Sequence, residues 1–258
     1  MPAFCQHCYE LPGELKGKPT GTEVEIGGVP SYVSTPQTGK GTILLATDIY
    51  GLGISNAKIV ADTLAQEAGF TVVVPDYFEG EPMKPEEFVF PKHTDEGKPS
   101  DEQMGANMDN MTKWVQKGHS PNETYPILKK VIDAVKGDGP VGVVGFCYGG
   151  KIAGLAAQDA LVQGSVIYHA AMLEADEANN VKVPVLLNMA DWDPTFNGVE
   201  EQWQETLKKK NLLDSRSKKY PGTIHGFGAR PSQDKPDVMA AYKEALTNTA
   251  QFFKQVLV

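Results

Sequence analysis

Short apolar runs of strand length alternate along this chain with longer segments of helical spacing, and that alternation restricts the fold more than any other feature. Continuous apolar strands are buried on both faces, as in parallel sheets, and the helices between them supply the crossovers. The pattern predicts strands over 42–46, 70–75, 141–146, 165–169, 183–189 and 215–220. It predicts helices over 55–67, 122–136, 150–159, 199–210 and 237–257, with Ser55 and Asn122 placed as N-caps. In the last helix Val238, Ala241, Leu246, Ala250, Phe253 and Val256 form a stripe that should dock on the sheet. The expected class is α/β, a mostly parallel central sheet with helices on both faces, forming one domain over 1–258. Residues 1–30, with Gly21, Gly27, Gly28 and Pro30, read as an N-terminal extension containing an edge hairpin or ribbon. Residues 79–118 form a polar excursion longer than an ordinary connection. It reads as a lid or substrate wall, or else as a surface loop with a short helix of its own.

A chain of 258 residues, 41% of them hydrophobic, can bury a core without disulfides or a structural metal. Its formal net charge of -9 and lack of an extended basic run argue against nucleic acid and membrane surfaces as partners. No stretch approaches the roughly 18 apolar residues of a spanning helix, and the N-terminus does not read as a secretory signal. Three cysteines, an odd number, argue against a disulfide scaffold and for a reducing compartment, so the cytoplasm is expected. Cys5-Gln6-His7-Cys8 could be half of a zinc site, but no second Cys/His pair follows at suitable spacing. Gly51-x-Gly53 lacks the third glycine of a dinucleotide fingerprint, and no P-loop is present. Neither a metal nor a cofactor is implied.

The run 141–146 ends in Gly145-Phe146-Cys147-Tyr148-Gly149-Gly150 and enters a helix rich in small residues. This is the strand, sharp turn and helix of a nucleophile elbow, G-x-S-x-G with cysteine in place of serine. Glycines two residues before and two after the nucleophile leave room where strand and helix close on each other. A cysteine at a helix N-terminus gains thiolate character from the partial positive charge there, and the Tyr148 amide points where an oxyanion would form. The competing reading is a structural cysteine buried after a core strand.

With Thr47-Asp48-Ile49-Tyr50-Gly51, Val74-Pro75-Asp76-Tyr77-Phe78 and His225-Gly226-Phe227, the elbow makes the chain resemble the dienelactone hydrolases (carboxymethylenebutenolidases) from about Thr22 to the C-terminus. Cys5-x-x-Cys8, Gly21-Thr22 and Tyr32 look like fungal members of that family. The resemblance implies an α/β-hydrolase fold and a hydrolase that opens a small-molecule lactone or ester through Cys147. His225 is the expected base, because it follows the last strand and comes late in the chain, as the order nucleophile, acid, histidine requires. His169, at the carboxyl end of a strand, is the rival. It precedes any suitable acid and reads as a pocket wall or as a satisfied core histidine. His7, His93 and His119 lie in polar stretches and are expected at the surface.

The acid should come from Ala190-Asp191-Trp192-Asp193-Pro194. The family pattern favours Asp193, leaving Asp191 to bond loop amides. By resemblance the Ile49 amide is the second oxyanion donor. Asp48 stands where family members carry a glutamate thought to hold the resting thiol. It either modulates the thiol in the same way or structures its turn. The first of the family's two carboxylate-binding arginine positions is empty here, since Glu79-Gly80-Glu81 follows the Pro-Asp-Tyr-Phe block. The second is filled approximately by Arg230, one of two arginines in the chain. Arg230, His169 and Tyr50 are therefore the expected substrate-binding residues, and the substrate is neutral or carries one carboxylate. Arg230 could equally be a surface residue near Asp234. The competing functions are a noncatalytic binding or regulatory protein on the same fold and a slow carboxylesterase of broad scope.

Overall fold

A computed structural model describes residues 15–36, 40–87, 101–193 and 198–258. Eight strands form one sheet: β1 (Thr22–Ile26), β2 (Val29–Ser34), β3 (Thr42–Ala46), β4 (Thr71–Pro75), β5 (Val141–Phe146), β6 (Gly164–Tyr168), β7 (Val185–Trp192) and β8 (Lys218–Ile224). Their order is β1-β2-β4-β3-β5-β6-β7-β8. The β1–β2 and β2–β4 pairs are antiparallel, and all others are parallel.

Alternation along the central strands separates two cores. Leu44, Val143, Ile167 and Leu187 face one side, while Leu45, Val144, Val166 and Leu186 face the other. On the first side lie α3 (Pro121–Val135), α4 (Tyr148–Asp159) and α5 (Val199–Lys209), through residues such as Leu128, Ile152 and Trp203. On the second lie α1 (Asn56–Ala68) and α6 (Pro236–Val256), through Val60, Leu64, Leu246 and Phe253. Burying both sheet faces removes apolar surface from water, which stabilises the fold by about 25 cal/mol per Å². No helix among the described residues is long and apolar enough to cross a membrane.

Three local expectations are corrected. The N-cap of α3 is Ser120, whose amide donates to the Glu123 carboxylate (3.1 Å), and Pro121 opens the helix, so Asn122 already lies inside it. Strand β8 starts at Lys218, later than the expected residue 215, because Asp214 turns the chain by accepting the Arg216 amide (2.9 Å). It then runs through Pro221 and Gly222, which an edge strand tolerates. Helix α4 begins at Tyr148 rather than at residue 150. The excursion over 79–118 is described at its two ends, which include α2 (Asp101–Trp114); residues 88–100 lie outside the described residues, as do Cys5, His7, Cys8 and His93.

Candidate active site

The elbow joins β5 to α4 with Cys147 at φ 54° and ψ −113°, a backbone conformation L-residues rarely adopt. Two glycines permit it. A Cβ on Gly145 would stand 1.9 Å from the Gly149 carbonyl oxygen, and one on Gly149 would stand 2.1 Å from the Ala46 carbonyl oxygen. The turn therefore closes on itself and presses against the end of β3. The Cys147 amide donates to the Tyr168 carbonyl (3.2 Å), and its own carbonyl accepts from the amides of Gly150 (2.9 Å) and Ala171 (3.0 Å). Cys147 is buried, at the N-terminus of α4. The helix dipole there favours a thiolate.

Tyr148, the next residue, is anchored by its ring. Its hydroxyl donates to the His119 carbonyl (2.7 Å) and shares a hydrogen bond with Thr124 Oγ1 (2.7 Å), while burial raises the phenol's proton affinity and keeps it neutral. His119 is itself buried, stacked on Trp114 with ring centroids 4.7 Å apart, and its Nδ1 bonds the Trp114 carbonyl (2.8 Å). The expectation of a surface histidine is thus overturned. Trp114 and Phe78 cover a residue whose sequence neighbours are polar. Trp114 Nε1 in turn donates to the Glu81 carbonyl (2.7 Å), tying the two described ends of the excursion together.

The segment after β3 is held by Tyr77, whose hydroxyl donates to the Thr47 carbonyl (2.6 Å). The Ile49 carbonyl accepts from the Met83 amide (2.9 Å). Asp48 Oδ1 accepts the Tyr50 amide (3.0 Å), so the carboxylate does structure its turn. Its Oδ2 lies 3.2 Å from Arg230 Nε, and the guanidinium lies over the Tyr50 ring, 4.8 Å from the centroid. Arg230 is only 2% exposed, which overturns its placement at the surface near Asp234. The acid that draws it inward precedes it by most of the chain and could not be paired with it by spacing.

A buried pair of this kind is costly to break and cheap to remove whole. Arg230→Met is expected to destabilise the fold by about 3–5 kcal/mol, whereas Asp48→Asn with Arg230→Met should recover much of the loss. Denaturant midpoints of the single and double variants measure this, and additive losses would mean that the two charges are not coupled.

On the far side, His225 Nδ1 lies 2.9 Å from Asp193 Oδ2, with both side chains buried. Asp191 is exposed and does something else: its Oδ2 accepts the Gly222 amide (3.0 Å), tying β7 to β8. His169 is wholly buried, with its ring centroid 4.9 Å from that of His225. Sequence reasoning did not find the supporting roles of Tyr77, His119 and the Tyr148 ring. The signals present were the places of Tyr77 and Tyr148 in the blocks shared with the dienelactone hydrolases, which say nothing of what their rings bond. Among the described residues no group of three or more His, Cys, Asp or Glu is gathered as a metal site.

The model of the dienelactone hydrolase family matches residues 29–257. Hydrolase pyvD of Aspergillus violaceofuscus is 26% identical, over 94% of this chain and 93% of its own length. The carboxymethylenebutenolidase homolog of Rattus norvegicus is 24% identical, over 92% of this chain and 91% of its own. Among solved structures, a dienelactone hydrolase-like promiscuous phosphotriesterase from metagenomic libraries superposes with a TM-score of 0.61 at 16% identity, covering 94% of this chain and all of that one. At that identity the last likeness speaks to the fold alone.

Proposed function

Because the chain belongs to the dienelactone hydrolase family, whose members are α/β-hydrolase-fold enzymes, we propose that it opens a small-molecule lactone or ester through Cys147, with His225 as base and Asp193 as the acid that orients it. The observation that carries this reading is the buried His225–Asp193 pair at 2.9 Å, at the sheet end where the strained Cys147 turn sits. In the first step the Cys147 sulfur attacks the carbonyl carbon and its proton passes to His225. The C–O bond to the alcohol or enol breaks, and that oxygen takes the proton from His225. Water, deprotonated by His225, then cleaves the thioester and returns the thiol. The amides of Tyr148 and Ile49 are the proposed donors to the oxyanion formed in each step.

The substrate is proposed to be neutral or to carry one carboxylate. Asp48 already opposes the charge of Arg230, and Glu79 and Glu81 follow the Tyr77-Phe78 block where a second cation would be needed, so a neutral lactone or activated ester fits best. In this reading Tyr50 and His169 act with Arg230 behind the substrate site, and Asp48 tempers the thiol through its charge.

Rapid mixing with an excess of an aryl ester tests the covalent step. The expected result is a burst of about one phenol per enzyme and, after acid quench, an acyl group on the Cys147 peptide by mass spectrometry. Steady hydrolysis with the acyl group on another residue would overturn the assignment.

A further inference from the structure

His169 closes β6 with φ 31°, a left-handed turn that a non-glycine residue adopts only when its surroundings hold it. The turn wraps the chain around the elbow. Tyr168 accepts the Cys147 amide, the His169 amide donates to the Asn188 carbonyl (3.0 Å), and Ala171 donates to the Cys147 carbonyl. The imidazole itself points away from this strap toward the loop that carries His225. Its Nε2 accepts the Gly228 amide (3.3 Å), and its ring meets that of His225 at an interplanar angle of 65°. Phe227 packs against it from the same loop at 5.6 Å. The approach is so close that a Cβ on Gly228 would stand 2.4 Å from Tyr168 Cδ1 and 3.2 Å from His169 Nε2.

An Nε2 that accepts requires the proton on Nδ1. That nitrogen is buried and has no hydrogen-bond partner on any other described residue. A buried donor limited to its own backbone gains little, and a phenylalanine would fill the same space without it. The feature of histidine that phenylalanine lacks here is the acceptor for Gly228. Burial, followed by the charges of His225 and Arg230, pushes the His169 imidazolium well below the ordinary histidine range, with Asp193 opposing, so the ring remains a neutral acceptor.

We infer that His169 is a positioning residue for the catalytic base: its ring packs edge to face with His225 while its Nε2 holds the Gly228 amide, fixing the base's loop to the strap that clasps Cys147. This rests on His225 being the base. It assigns His169 to the geometry of the proton transfer and not to contact with substrate, so its loss should appear in kcat and not in KM.

His169→Phe keeps the ring and removes the acceptor, while His169→Gln offers an amide oxygen to Gly228. The Phe variant is expected to lose kcat by about 10²-fold with KM little changed, the scale of a misplaced catalytic group. The Gln variant should recover most of that loss at similar thermal stability. In ¹⁵N-histidine spectra of the unaltered protein, His169 Nε2 should remain unprotonated and Nδ1 protonated across the active pH range, a readout that does not depend on the Phe variant folding. Wild-type kcat in a folded Phe variant, a Gln variant as impaired as Phe, or a protonated Nε2 would overturn the inference. His225→Ala separates the two readings. If it leaves turnover intact, the base is misassigned; if it abolishes turnover while His169→Phe does not, only the positioning role fails.

Discussion

Cys147→Ala is expected to lower kcat/KM for esters and lactones by about 10⁴- to 10⁶-fold, the range seen when a nucleophile is removed from a triad. The size follows from the site's construction. In the proposed mechanism the helix dipole, the strained turn and the neighbouring amides would all serve an attacking sulfur, and without it only transition-state binding to a water reaction would remain. Stability should change little by comparison, because one small buried side chain is shortened while Gly145 and Gly149 keep their contacts. Initial rates on a panel of aryl esters and lactones, read beside thermal denaturation, check both halves. Retention of more than a tenth of the activity in a folded Cys147→Ala protein would place the nucleophile elsewhere.

Asp193→Asn is expected to lower kcat by about 10⁴-fold, as loss of the acid does in a serine triad, while Asp191→Asn costs little catalytic activity. The two acids are separated by one residue, yet their surroundings differ in kind. Asp193 is buried against His225 Nδ1, and in the proposed triad its carboxylate would hold the Nδ1-protonated tautomer, in which Nε2 is the basic nitrogen. Asp191 is exposed and bonds a backbone amide, so its replacement removes one loop contact and no charge from the site. Steady-state rates of both variants decide the matter. Equal, modest losses would mean that Asp193 does not orient the base.

Much of the architecture was legible because a strand buried on both faces leaves an unbroken apolar run. Strands β3 and β5 were read to the residue for that reason, and the glycines around Cys147 announced the close approach of α4. The placement of His225 and Asp193 followed from chain order and family resemblance. What escaped was long-range and polar. His119 looks like a surface residue among lysine, glycine and serine, and only the fold brings Trp114 and Phe78 over it. The Asp48–Arg230 pair joins opposite ends of the chain, and no periodicity records such a meeting. Ser120 and Asn122 are equally good cap residue types, and the features that make Ser120 the cap are Pro121 and the distance to Glu123.

The sheet order also governs how such a chain must be assembled on the ribosome. Strand β3 sits between β4 and β5, but β5 is synthesised only after α1, β4, the whole excursion and α3. Until then one long side of β3, apolar from Ile43 to Ala46, has no partner, and nascent chain ending before β5 presents an open parallel edge that invites aggregation. The late arrival of β5 closes that edge and, in the same event, presses Gly149 onto Ala46. The turn that bears Cys147 is therefore completed only once β5 has taken its place beside β3.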